Sequence, residues 1–262
     1  MRPPALPRLL WLLCATLVAA PLAASELVGH RALYTLTLDT ARGDVIGASG
    51  TMGFEIIDAC DGWAVRQRLA ITVTGRDGTE IDLASDYTTW ESKDGLSIRF
   101  RMRQTTEDAI VADLAGTAAL ERTGGPGRAT YTQPADTTKD LPAGTMFPTA
   151  HTEAILAAAR ANTRVLAIPL FDGTSVDGAQ DSTMVIGAIA PPAVNPWPAL
   201  APLPSVRTRI AFFERNGNKQ QPEYEVGMRY WTNGIADQLS MDFGDYVLTG
   251  KLVELAVPKP GC

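Results

Sequence analysis

From His30 onward one pattern keeps returning: apolar, polar, apolar, for as long as a strand lasts. Tyr34, Leu36 and Leu38 alternate with Thr35, Thr37 and Asp39, and Met52, Phe54 and Ile56 repeat the spacing. Trp63, Val65, Leu69, Ile71 and Val73 follow at the same period, with Arg66, Arg68, Thr72 and Thr74 between them. Successive side chains of an extended strand point to opposite faces, so this spacing reads as half-buried β-strand. The pattern resumes at Leu96, Ile98, Phe100 and Met102, at Val206 to Phe212, at Tyr224 to Tyr230, and from Ile235 to Val257. Between the runs stand Asp61-Gly62, Asp77-Gly78, Asp94-Gly95, Asp172-Gly173, Asn216-Gly217 and Asn233-Gly234, dipeptides suited to tight turns. The result is a mainly β chain of roughly a dozen strands, most joined by short hairpins. A flat sheet of that size exposes long edges, so it must curl, split or close. A curled antiparallel open barrel is expected, with a two-sheet sandwich as the rival.

One stretch breaks the pattern. Leu141 to Asn162, LPAGTMFPTAHTEAILAAARAN, holds a run from Ala150 to Ala161 without glycine or proline and rich in alanine. Ile155, Leu156 and Ala159 fall on one side of a helix there. Thr149, after Pro148, is expected to cap it, with Glu153 in the first turn and Asn162 as the stop. A lone amphipathic helix in mid-chain argues for a sheet wrapped around it and against the sandwich.

The start of the chain speaks to compartment. Arg2 and Arg8 precede an apolar run, Leu9 to Ala20, followed by Pro21 and the small-residue exit Leu22-Ala23-Ala24-Ser25. That reads as a secretory signal peptide over residues 1–24, leaving one domain over 25–262 and no transmembrane segment after cleavage. A periplasmic location is expected. Leu12 and Leu13 ahead of Cys14 lack the small residue that lipidation requires. The whole chain carries a net charge of −6, which loss of Arg2 and Arg8 lowers to −8. Such acidity speaks against nucleic acid and anionic lipid head groups as electrostatic partners and leaves an apolar ligand open. With Cys14 removed, Cys60 and Cys262 remain, an even pair in an oxidising compartment, and a disulfide between them is expected. A redox-active pair is the alternative, but no Cys-x-x-Cys motif is present.

No catalytic motif survives inspection. Thr123 to Gly127 lacks the Gly-Lys-Ser/Thr of a phosphate loop, and Gly173 to Asp177 lacks the last glycine of a nucleophile elbow. Asp242-Phe243-Gly244 stands alone, without the rest of a kinase signature. Three aspartates between Asp172 and Asp181 miss calcium-loop spacing and read as a polar hairpin loop. Arg99, Arg101 and Arg103 read as a solvated strand face rather than an anion site. His30 and His151 are the two histidines, and His151, in the first helical turn, reads as structural. Pro191 to Pro204, PPAVNPWPALAPLP, can be a partner ligand, a lid carrying Trp197 and Leu200, or a mobile connection, and the last is expected.

Several blocks resemble the EipB family of periplasmic cell-envelope integrity proteins. They are HRALYTLTL at His30, GWAVRQRL after Cys60, SDYTTWES at Ser85, the helix block from Leu141 to Ala161, the Tyr224-Glu225-Val226 strand with its Asn-Gly turn, and FGDYVLTGKL before the terminal cysteine. The resemblance implies an unclosed, spiralled β-barrel (a β-spiral) with a helix packed into it, similar to periplasmic lipoprotein carriers. It implies one disulfide, mapping onto Cys60 and Cys262, and no defining enzymatic activity; no cofactor and no metal are expected. The expected function is then non-enzymatic support of envelope integrity, by binding a lipid, lipoprotein or peptide in the concave face of the sheet. A scaffold that docks a periplasmic protein partner is the alternative, and a hydrolase is the remote third.

Overall fold

Each alternating run becomes a strand in the computed structural model, which describes residues 27–215, 221–259 and 261. The expected signal peptide over 1–24, the Asn216-Gly217 turn and Cys262 lie outside the described residues. The first meander comprises β1 (His30–Ala41), β2 (Val45–Asp58), β3 (Gly62–Gly75), β4 (Glu80–Ser92), β5 (Ser97–Thr106), β6 (Ala109–Leu120), β7 (Gly127–Gln133) and β8 (Thr137–Leu141). After α1 (Pro148–Arg160) the second holds β9 (Val165–Leu170), β10 (Gln180–Ile186), β11 (Ser205–Phe213), β12 (Tyr224–Trp231), β13 (Ala236–Asp242) and β14 (Tyr246–Ala256). All fourteen strands form one antiparallel sheet, and the two meanders are sewn together where β1 pairs with β14.

Glycines let this seam bend. Leu36 of β1, almost wholly buried, has Gly50 of β2 on one side and Gly250 of β14 on the other. A Cβ on Gly50 would lie 2.1 Å from the Ala70 carbonyl oxygen, and one on Gly250 would lie 2.9 Å from the Leu239 Cβ. Only glycine permits the chain to come so close, a device that turns sheets into barrels. Register shifts in the β1–β14 pairing add local twist.

The sheet does not close. Its edges are β8 and β9, and β9 is covered by the chain entering the helix, where Met146 pairs with Leu170 in a short parallel bridge. The β9–β10 loop then runs into the concave side of the first meander. Tyr87 of β4 donates to the Asp172 carbonyl at 2.5 Å, Tyr131 of β7 donates to the Ser175 carbonyl at 2.6 Å, and Gly173 lies against Phe100. One meander is thus rolled inside the other: a β-spiral. The polar hairpin loop expected between Asp172 and Asp181 is therefore corrected. Its first half is an inserted tongue, because the backbone carbonyls find tyrosine donors in the interior and Phe171, fully buried, packs edge-on to Phe100 and Phe147.

Helix α1 packs as its pattern requires. Ile155, Leu156 and Ala159 are buried against Ile168, Met184 and Val206 of the second meander. Its ends need one correction. The N-cap position is Phe147, with no side-chain cap of its own, so Thr149 lies inside the first turn and Glu153 falls beyond it. The stop is as read: Asn162 is left-handed at φ 58°, and its N–H and that of Thr163 bond back to Ala159 and Ala158.

The Pro191–Pro204 connection is also corrected. Leu200 is fully buried in the cluster around Trp231 and Ile235, with Trp197 and Leu203 packed beside it. Its neck is pinched by the Ala190–Ser205 bridge. An anchored apolar side chain makes this a docked strap, while Pro191 to Val194 stays exposed. The arginine face of β5 is solvated as expected: Arg101 pairs with Asp113 at 3.2 Å and Arg99 lies over the Trp90 ring.

Candidate ligand cavity

Rolling a sheet around one helix leaves space that the side chains do not fill. A cavity of about 380 Å³ lies between the inner face of the first meander, the inner face of β11–β13 and the first turns of α1. This is within the roughly 300–1,000 Å³ range of small-molecule sites. Alternation puts its lining in place: Met52, Phe54 and Ile56 at every second position of β2, and Val226, Met228 and Tyr230 at every second position of β12. No lysine, arginine or glutamate lines it.

The polar groups that frame the cavity are mostly committed to the fold. Glu91 of β4, 1% exposed, reaches the N-terminus of α1 and accepts from the Thr149 N–H at 2.7 Å and the Ala150 N–H at 2.8 Å. A carboxylate from the sheet thus caps a helix that has no cap in its own sequence. Burial raises the Glu91 pKa to about 7, against the opposing pull of the helix N–H groups. This residue was not singled out from sequence. The signal was there, since Tyr87, Thr89 and Glu91 stand in phase on the inner face of SDYTTWES.

His151 is buried, with Nε2 2.9 Å from the Ser182 hydroxyl. Ser182 donates its own proton to the Ile168 carbonyl at 2.6 Å, so Nε2 carries the proton and donates to Ser182. A nucleophile and its base have the reverse polarity, with the serine donating to the histidine. Burial drops the His151 pKa to about 4 and keeps the ring neutral. The structural reading of His151 fits this geometry. His30 likewise has its pKa lowered by burial, and its Nδ1 donates to the Val28 carbonyl at 2.9 Å.

Asp172 lines the cavity from the tongue. Its carboxylate accepts from the Thr174 N–H and hydroxyl and from the Gln180 amide, while burial raises its pKa. Nothing here gathers a metal: no group of three or more His, Cys, Asp or Glu comes together among the described residues. Cys60 sits in the exposed β2–β3 turn, and its expected partner Cys262 lies outside the described residues.

Comparison with known proteins places this architecture. A family model described as EipB-like matches residues 21–259. The chain belongs to the EipB-like family. It is 31% identical over 262 residues to the cell envelope integrity protein EipB of Brucella abortus (strain 2308), an alignment that covers 93% of this chain and 89% of that protein. It also superposes on the crystal structure of a beta-barrel-like protein of a domain of unknown function from Brucella abortus, with a TM-score of 0.82 and 29% identity over 90% of this chain and 100% of that one. The family and the open, barrel-like fold expected from the quoted blocks are both borne out. Two of those blocks meet in space, since Glu91 of SDYTTWES caps the helix block. No helix among the described residues is long and apolar enough to cross a membrane.

Proposed function

We propose that this protein is a non-enzymatic periplasmic factor that supports cell-envelope integrity by holding an apolar ligand (a lipid, lipoprotein or peptide) inside its spiral. The observation that carries the reading is the apolar cavity of about 380 Å³ between the helix and the two inner sheet faces. A hollow of this size, lined mainly by apolar side chains from both meanders and the helix, has the dimensions and character of a small-molecule site. The name of the Brucella relative supports the envelope role. Export by cleavage of residues 1–24 belongs to the same proposal.

The test is to purify the mature protein from the native periplasm and denature it in front of a mass spectrometer. A released lipid or acylated peptide in stoichiometric amount is expected. Protein that releases nothing, and whose melting temperature no envelope lipid raises after delipidation, would sink the carrier reading. A scaffold role is the second reading, favoured by the exposed, proline-flanked Ala193-Val194 tip of the strap. Photo-crosslinking from Val194 in intact cells separates the two: a reproducible protein adduct favours the scaffold, and copurified lipid without one favours the carrier.

A further inference from the structure

The cavity is not uniformly apolar, and many of its polar groups, Tyr34, His151, Thr152 and Asp172 among them, are already bonded within the fold. Gln67 of β3 and Ser85 and Thr89 of β4 all turn toward it. In the β3–β4 register Gln67 faces Tyr87, Leu69 faces Ser85 and Val65 faces Thr89, so the three polar side chains form one contiguous patch around Tyr87. Tyr87 is spoken for, because its hydroxyl holds the tongue. Gln67, Ser85 and Thr89 have no side-chain hydrogen-bond partner among the described residues. Thr89 is 7% exposed. Gln67 and Ser85 are half-buried, and three neighbouring polar side chains that face one cavity with their hydrogen-bonding capacity free form a surface that can recognise a polar group. Across from them Ile210, Phe212, Met228 and Met241 contribute hydrocarbon and thioether surface, with the rings of Tyr224 and Tyr230 beside them.

The lining also says what the ligand cannot carry. No lysine or arginine is present to neutralise an anion, both lining histidines are held neutral by burial, and the one carboxyl, Asp172, is already bonded to Thr174 and Gln180. An ionised group placed here would lose its hydration with no opposite charge to replace it.

We infer that the cavity selects an acyl chain bearing an uncharged ester, amide or hydroxyl group, with the chain against β11–β13 and the polar group on Gln67, Ser85 and Thr89. This rests on the ligand-binding reading above and names its chemistry. It accounts for both halves of the lining at once. The methionines and aromatics accept any flexible hydrocarbon, whereas the neutral hydroxyls and the amide, each able to donate and accept, require a partner that is polar and uncharged.

Delipidated mature protein can be titrated with three probes that share a chain: monodecanoylglycerol, decanoate and decyltrimethylammonium. Monodecanoylglycerol is expected to bind at least about tenfold more tightly than either charged probe, the worth of one or two desolvated hydrogen bonds. Thr89→Val and Ser85→Ala should fold normally, since neither hydroxyl has a protein partner, and should each weaken monodecanoylglycerol by about three- to tenfold while leaving the charged probes unchanged. Equal affinity for all three probes, or variants that bind the glyceride as well as the parent, would overturn the inference and leave the carrier reading standing. A preference for the cationic probe would overturn it in favour of Asp172 as a counter-ion. Absence of binding by every probe would remove both.

Discussion

At the scale of single residues, two buried ionisable groups give the fold opposite responses to pH. Glu91 titrates near pH 7 in the folded protein against 4.5 in its ordinary environment, so the folded state holds its proton more tightly. The stability this contributes is fully present below about pH 4.5 and is lost as pH rises through about 7. His151 works the other way. Its pKa falls from 6.5 to about 4, so its contribution is present above 6.5 and lost as pH falls through about 4. Each shift corresponds to roughly 3 kcal/mol at most, and between pH 4.5 and 6.5 the two slopes oppose one another. Urea denaturation across pH 4 to 9 should show the alkaline loss flattened in Glu91→Gln and the acid loss flattened in His151→Gln. The first variant should also be about 1–3 kcal/mol less stable, because the amide places an NH2 donor against one of the two helix N–H groups that the carboxyl oxygens accept from. Unchanged slopes in both variants would show that neither group governs the profile.

At the scale of elements, the tongue between β9 and β10 decides whether the spiral stays rolled. Gly173 sits at φ 76°, and a Cβ there would lie 2.3 Å from the Phe100 ring. Gly244, at φ 89° in the β13–β14 turn, has nothing within 4 Å of its own added Cβ. Gly244→Ala should therefore cost only backbone strain, about 1–2 kcal/mol. Gly173→Ala adds overpacking of a filled aromatic cluster and should cost roughly 1–3 kcal/mol more. Comparing urea midpoints of the two variants isolates the packing of the tongue, and equal losses would mean that it is not pressed against β5. Legibility also differs by element. Strands and helix were readable because each carries its own period, and the stop at Asn162 was readable because it is local. The helix start was not, because its cap comes from Glu91, 58 residues earlier in the chain. The tongue and the strap were misread for the same reason: their composition is that of a loop, and only contacts from Phe100, Tyr131 and Trp231 make them interior.

At the scale of the molecule, the seam between β1 and β14 brings the end of the chain back to its beginning. Arg31 pairs with both Ala256 of β14 and Glu55 of β2, and Cys60 lies just past the end of β2. Cys60 lies about 10 Å across, two strand spacings, and five residues or about 17 Å along from the level of Ala256, and the six residues after Ala256 can span up to about 20 Å. The proposed Cys60–Cys262 disulfide is therefore within reach, and it would tie the last strand to the second across the first. Mature protein unfolded in denaturant should resist thiol-labelling reagents until reduced, and labelling of Cys60 without reductant would remove the tether from the proposal. The cavity belongs to this scale too. Its lining residues come from both meanders and from α1, so no local segment of sequence contains it.

What the sequence determined by itself was whatever depends on near neighbours: alternation that makes strands, glycine dipeptides that turn them, one alanine-rich helix, and family blocks that name the architecture. What only the tertiary structure decided was which polar groups find a partner. Gln67, Ser85 and Thr89 look in sequence like any other strand residues. Only when the second meander rolls inside the first do they become unpaired side chains facing a cavity, while Glu91, two residues along the same strand face, becomes a helix cap. Hydrogen-bond satisfaction is a property of the closed molecule, because it depends on what arrives from far along the chain, and a strand's own period cannot report it.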